Sequence, residues 1–286
     1  MRQYSSLTPE QSGGRDYSPG FTVVIPFYNE AAYIGATLQS ILEQDLKPSR
    51  ILLIDNASTD ESVSLIRVTL ADVADIRTEI IEEPRPGKIF ALETASSLLD
   101  TEFVAFCDAD TYYPPHYLQK AAEIFARGRR STAAAMAAGV TDDPDSKKGR
   151  FIRTKAAFVG KVLAKQCHTG GYGQVFRTAA FLEAGAYDHT RWRFVLEDHE
   201  IIQRILQVGD CKYDRDFWCQ PSDRRSERSG VSWTTVEQVV YHLTPFVLKN
   251  WFFYQFLANR FERRGLSNIS LRAQPWLQPT KETDAP

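Results

Sequence analysis

Two aspartates one residue apart, Asp108 and Asp110, close the apolar run in FVAFCDADTYYPP. Like charges at the mouth of a buried strand repel each other, and a divalent cation would relieve them. Hard carboxylate oxygens suit Mg2+ or Mn2+, which bind through one or two carboxylates together with substrate phosphates. The plainer reading of the same pair is two loop aspartates capping the next turn. A second acidic pair, Glu197 and Asp198, opens LEDHEIIQRILQVG. The helix dipole alone favours acids there, yet a carboxylate at such a position can also take a proton from an attacking hydroxyl. Upstream of it, GGYG at 170–173 would let backbone come close to a ligand. His168, His199 and His242 have no metal-ligand spacing and read as ordinary.

Three further stretches carry polar residues of the right type. VVIPFYNE supplies Pro26, Tyr28 and Glu30. A proline after a strand ends pairing, and the tyrosine could stack on a planar base or simply pack. LLIDNASTD supplies Asp55 and Asn56, whose oxygens and amide could meet a base or ribose edge, while Asp60 reads as a helix N-cap. EEPRPGKIFAL places Gly87 and Lys88 at a helix start, where N–H groups and an ammonium favour phosphate. A lysine at a surface turn is also commonly just solvated.

The elements that must hold these groups are regular from Phe21 onward. FTVVIP, RILLID, IRTEIIEE and EFVAFC read as strands, each followed by a segment with helical apolar spacing. The alternation predicts βαβ units and a mainly parallel sheet flanked by helices, with ligands at the strands' carboxyl ends. Asp55, Asn56, Asp108 and Asp110 all fall at such ends. Beyond Arg130 the pattern weakens: STAAAMAAGV is taken as a strand and TDDPDSKKGR as a charged loop. Residues 1–20 read as a flexible tail without the apolar core of a signal peptide, and no apolar run is long enough to span a bilayer.

Composition narrows the class. The 286 residues carry a net charge of -2, which gives no reason to expect nucleic acid as a partner. Four scattered cysteines without a CxxC pair argue against zinc or a disulfide framework and for a reducing compartment.

The motifs VVIPFYNE, LLIDNASTD, FCDADTYYPP, GQVFRTAAFLEAGAYD and LEDHEIIQRI stand in the order found in family 2 glycosyltransferases, which the chain resembles from about Phe21 to about Gly209. The resemblance implies the Rossmann-like GT-A fold, an inverting sugar transfer and a nucleotide-sugar donor. It implies that Pro26, Tyr28 and Glu30 line the nucleotide site, with Asp55 and Asn56 near the base. Asp108 would approach the ribose or the metal, Asp110 would hold Mg2+ or Mn2+ on the diphosphate, and Asp198 would be the catalytic base. The family commonly has a second aspartate where this chain has Asn56, which weakens any inference of a uracil donor. Two rivals stay open: a sugar nucleotidyltransferase, though no glycine-rich phosphate loop follows the first strand, and a nucleotide-sugar-binding protein without transfer.

The resulting division is a catalytic domain over 21–245 and an aromatic-rich helix and tail over 246–286. The segment SDRRSERSGVSW, with Arg224, Arg225 and Arg228, reads as either a solvated loop or one that closes over the donor. In PFVLKNWFFYQFLANRFERRG, Val247, Trp251, Tyr254 and Leu257 or Phe261 share a helical stripe, with Arg260, Arg263 and Arg264 at its end. Such a helix could lie on a bilayer surface, which would suit a lipid-linked or glycan acceptor, or pack on its own domain or on a second copy in a homodimer. Packing is the favoured reading, giving a cytoplasmic enzyme with at most peripheral membrane contact.

Overall fold

β-branched runs separated by amphipathic helices build one mixed sheet. A computed structural model describes residues 17–128, 131–223 and 233–270. Its first half holds β1 (Ser18–Phe27), β2 (Arg50–Asp55), β3 (Arg77–Glu82) and β4 (Thr101–Phe106). Between them run α1 (Ile34–Leu42), α2 (Ser62–Thr69) and α3 (Lys88–Ser96), and α4 (Tyr117–Arg127) comes after β4. The second half holds β5 (Thr111–Tyr112), β6 (Thr132–Gly139), β7 (Gln174–Arg177) and β8 (Asp210–Pro221). Across the sheet the order is β3-β2-β1-β4-β7-β6-β8-β5. The first four strands are mutually parallel, and β7 enters antiparallel to both β4 and β6.

Alternate side chains of each central strand feed two cores. Val23, Ile25, Ile51 and Leu53 pack with Ile34, Leu38 and Ile66 on one face. Val24, Leu52 and Ile54 pack with Ile89, Leu92, Ile201 and Ile205 on the other. Both faces of the strands are covered, so they read as unbroken apolar runs.

Four expectations need correction. The first strand begins at Ser18, inside the stretch taken as tail, because the chain from Ser18 already pairs with Thr101. Pro26 lies within β1 and does not end it: pairing with β2 continues through Phe27↔Asp55. Val24 O accepts from Cys107 N at 2.9 Å, so the Pro26 nitrogen, two residues on, faces the same β4 side just past the last paired residues. The missing N–H is therefore lost where no ladder needs it. TDDPDSKKGR is a loop only to Ser146, whose side chain caps Gly149 N and starts α5 (Lys147–Val162). Finally, the aromatic C-terminal segment packs, but on a different stripe from the one expected.

That last shift has a geometric cause. After α6 (Thr178–Glu183), α7 (Glu197–Val208) and α8 (Thr235–Leu243), the chain forms α9 (Lys249–Trp251), a π-helical stretch over Phe252–Leu257 and α10 (Ala258–Arg263). A π stretch holds more residues per turn than an α-helix and rotates the residues beyond it about the axis. Phe252, Phe253, Leu257 and Phe261 are buried against Trp192, Val195 and Tyr241, while Val247 and Trp251 are exposed. Glu237, fully buried in α8, pairs with Arg260 at 2.9 Å and Arg264 at 2.9 Å and so ties the arginines inward. Among the described residues no helix is long and apolar enough to cross a membrane.

Candidate active site

The carboxyl ends of β1 and β2 turn away through two left-handed residues, Asn29 (φ 52) and Ala57 (φ 60). Asparagine tolerates that region; alanine is held in it by its neighbours. Asn29 Oδ1 accepts from Thr59 N at 2.8 Å, and Glu30 N donates to Ser62 Oγ at 2.8 Å. Asp60 was expected to act as a simple cap. It accepts from Ser62 N and, across the gap, from Ala31 N, each at 3.0 Å. Burial pushes the Asp60 carboxyl up, but those hydrogen bonds outweigh it and hold the group below the usual carboxylate range. The two loops are thereby stapled, leaving Tyr28 and Glu30 half-buried at the sheet's edge beside Pro26.

Asp55 Oδ1 accepts from Ser58 N at 2.8 Å and closes its own turn. Asn56 departs from expectation. It is buried, and both of its N–H donors are committed, to Glu83 O at 3.0 Å and Arg85 O at 2.7 Å. Its Oδ1 accepts from Gly87 N at 2.8 Å. The amide expected to meet a base edge instead holds the 83–87 loop in place, and the Gly87 N–H expected to favour phosphate is spent on it. Gly87 itself sits at φ 130, a conformation side chains resist.

Lys88, the first residue of α3, reaches back across the site. Its Nζ lies 2.7 Å from Asp108 Oδ1 and 3.6 Å from Glu197 Oε1. One ammonium therefore joins the two acidic pairs, which are 89 positions apart in sequence from Asp108 to Glu197.

The Asp108–Asp110 turn is fixed on several sides. Asp108 N donates to the Tyr113 hydroxyl at 2.9 Å, and that hydroxyl donates to Tyr172 O at 2.9 Å. Thr37 Oγ1 donates to Ala109 O at 2.9 Å. Ser222 Oγ donates to Asp110 Oδ2 at 2.9 Å, and Ser222 N to Asp110 O at 3.0 Å. Asp110 lines a cavity of about 270 Å3 with Tyr33, Thr37, Tyr112 and Ser222. Two buried carboxylates presenting hard oxygens suit Mg2+ or Mn2+ completed by ligand phosphates and water.

Asp198 is seated by its neighbours. Leu196 takes the left-handed conformation (φ 64) and launches α7 so that Glu197 and Asp198 lie at its first turn. Asp198 Oδ2 accepts from Gly171 N at 2.7 Å; Oδ1 accepts from His199 N at 2.9 Å and lies 3.0 Å from His199 Nδ1. Burial works against its charge, but His199, Lys88 and the Gly171 N–H outweigh it and hold the carboxyl below the usual range. Glu197 goes the opposite way: burial and its acidic neighbour Asp198 push it up, and Lys88 offsets this only in part. The two adjacent carboxyls are thus pushed in opposite directions, which suits them to different roles.

The residues named from sequence thus fall into two groups. Asp108, Lys88, Glu197 and Asp198 come together through Lys88 and Gly171. Asn56 and Gly87 serve the scaffold of that cluster. Sequence reasoning passed over Tyr113, Ser222 and His199. His199, read in the sequence as ordinary, stands next to Asp198 in LEDHE and was legible there as its neighbour; Ser222 reaches Asp110 only through the fold. Arg224, Arg225 and Arg228 lie outside the described residues.

Residues 22–183 match the profile of glycosyl transferase family 2. An uncharacterized glycosyltransferase of Nostoc sp. is 33% identical over 104 residues, which are 36% of this chain and 32% of that protein. The chain therefore spans about a third of that relative. The mannosyltransferase PcManGT of Pyrobaculum calidifontis, solved in complex with GDP-Man and Mn2+, is 26% identical with a TM-score of 0.57. That likeness covers 71% of this chain and 57% of the mannosyltransferase. TarS of Staphylococcus aureus, solved with UDP-GlcNAc, shares the fold at 18% identity and a TM-score of 0.55, over 85% of this chain and 73% of its own.

Proposed function

Because the chain belongs to glycosyl transferase family 2, we propose that it moves a sugar from a nucleoside-diphosphate sugar to an acceptor hydroxyl, with inversion at the anomeric carbon. The observation that carries this reading is Lys88, whose ammonium lies 2.7 Å from Asp108 and 3.6 Å from Glu197. A donor-side carboxylate and the base-bearing helix end thereby share one site. The likeness to a mannosyltransferase solved with GDP-Man and Mn2+ supports a nucleotide sugar and a divalent cation here too.

Asp108 and Asp110 are the residues that would hold the cation, which when bound neutralises charge on the departing diphosphate. Lys88 adds a fixed positive charge on the same side. Asp198, kept ionised by His199 and the Gly171 N–H, takes the proton of the acceptor hydroxyl. The oxygen so freed attacks the anomeric carbon from the face opposite the diphosphate, and attack from that face inverts the centre. Burial and Asp198 raise the pKa of the neighbouring Glu197, and Lys88 at 3.6 Å partly offsets them. Pro26, Tyr28, Glu30 and Asp55 border the nucleotide. Four cysteines that are buried and outside any disulfide support a reducing, cytoplasmic setting.

The test is a panel of nucleotide sugars with Mg2+ or Mn2+, read by thermal shift and by release of nucleoside diphosphate. At least one donor is expected to raise the melting temperature in a metal-dependent way, since stabilisation grows with ligand over its dissociation constant. A chain that no donor stabilises, and that releases nothing with any acceptor hydroxyl, overturns the reading.

A further inference from the structure

Two adjacent helices of this molecule are built inside out. α5 turns its small residues inward: Gly149 and Gly160 are buried, and a Cβ at Gly160 would stand 2.2 Å from the Tyr213 ring. Ile152 and Ala156 also pack inward, against Val140 and Trp218, while three large apolar residues point outward, Phe151 and Phe158 each 66% exposed and Val162 62%. These three recur at seven and four residues, one crest along the helix. Lys148 and Lys155 flank the crest on one side, and Lys147, Arg150 and Lys161 on the other. A helix of an ordinary soluble domain does the reverse, burying its large apolar stripe.

α8 repeats the inversion. It buries Glu237 and Tyr241 and exposes Val236, Val239 and Leu243, the last at 78%. The two helices are joined at their C-terminal ends. Cys167 N donates to the Tyr241 hydroxyl at 2.8 Å, and Gln166 Nε2 donates to His242 O at 3.2 Å. Lys165 lies 5.4 Å from the centre of the Phe246 ring, next to Val247, itself 84% exposed.

We propose that α5 and the end of α8 form a docking surface for an anionic membrane, with Phe151, Phe158, Val162 and Leu243 entering the headgroup–acyl boundary and the lysines meeting acidic headgroups. Charge selects this occupant. No acidic residue occurs between Asp145 and Glu183, although the whole chain is slightly negative; Lys148 is partnered by Asp142 at 2.9 Å and Lys165 by Asp210 at 3.7 Å, so Lys147, Lys155 and Lys161 carry the charge argument. A polar face rich in lysine beside an exposed phenylalanine crest is the composition of helices that lie in a bilayer interface. A second copy of the chain fits less well, because a two-fold contact would set the same lysine flanks against each other. Residues 163–170 lead from α5 directly to Gly171, which holds Asp198.

The surface is tested by flotation with vesicles of phosphatidylcholine alone and of phosphatidylcholine mixed with phosphatidylglycerol, which reads no transfer and so stands apart from the catalytic reading. The chain is expected to float with the mixed vesicles, less so as salt rises and screens the lysines. Lys155→Gln with Lys161→Gln should weaken partitioning about 25-fold, roughly fivefold per charge. Phe151→Ser with Phe158→Ser should weaken it by about a hundredfold. Both pairs are exposed, so an unchanged melting temperature is expected for each. A wild-type chain that stays unbound, or that binds both vesicle types alike, overturns the proposal. So does a dimer in solution that the phenylalanine pair dissolves while vesicles bind neither form.

Discussion

The two halves of the sheet solve the same packing problem with opposite sequence logic. In the parallel half, the central strands are apolar runs and α1 turns its large side chains inward, so Ile34, Leu38 and Ile41 are fully buried. In the second half, α7 still buries Ile201, Ile202 and Ile205, but α5 meets the sheet through Gly160 and α8 carries a buried glutamate, and both leave large apolar side chains facing out. The first half carries Lys88, Asp108 and Asp110 at the ends of conventionally patterned elements. The second half gives up local consistency to carry Asp198 on a left-handed turn and to present an apolar surface. Deviation from the usual pattern thus marks where the molecule does something besides fold.

Replacing Asp198 by asparagine sets the largest effect against that contrast. Transfer should fall about a hundredfold to ten-thousandfold while donor binding and folding persist. Because the Asp198 pKa is depressed, the wild-type rate should hold through the ordinary carboxylate range and decline only below it. Near-normal turnover in the variant would move the base elsewhere, Glu197 first. Asp110→Asn belongs to the other half: donor affinity in Mn2+ should drop about a hundredfold, and affinity without metal should barely change. Titration calorimetry with and without metal decides it, and an unchanged metal dependence would sink the assignment.

Asn56→Asp probes the scaffold of the parallel half. An aspartate there removes the donors to Glu83 O and Arg85 O and faces both carbonyls with a charge, which should cost about 2–3 kcal/mol in a denaturant melt. No loss of stability would mean the loop does not depend on that amide. The smallest effect is expected from Lys249, buried beneath the C-terminal segment with its Nζ on Tyr241 O and 3.7 Å from that ring's centre. Burial lowers its pKa from 10.5 to about 8. Between those values the unfolded chain binds the extra proton, so stability should rise with pH across that window, on the order of 2 kcal/mol. Lys249→Met should flatten that rise, and a slope unaltered in the variant would show that other groups produce it.

Legibility in the sequence tracks the same divide. FTVVIP and RILLID announce buried strands because nothing but the sheet's interior explains six such residues together. Asp108 and Asp110 stand out because strand and carboxylates are contiguous. SKKGRFIRTKAAFVGKV hid a helix, since two glycines and a lysine-broken crest offer no inward stripe to count. The C-terminal stripe was misplaced because a π stretch leaves no mark in a periodicity that assumes one pitch. The meeting of Lys88 with Glu197 depends on how β4, β7 and α7 stack, which no local pattern encodes, and Asn56 could be typed as a ligand group but not seen to be already occupied.

The Tyr113 hydroxyl, which accepts from Asp108 N and donates to Tyr172 O, works as a strut between the turn bearing one carboxylate pair and the turn that seats the other. Burial raises its pKa well above the ordinary phenol value, so it stays a neutral hydroxyl around neutral pH. Its polarity is therefore fixed, donor at one end and acceptor at the other. The two turns are spaced by two hydrogen bonds through one hydroxyl oxygen, which the buried ring holds in place, rather than by charges that come and go. A site that must receive and release a highly charged diphosphate keeps its jaw opening on a part that does not respond to charge.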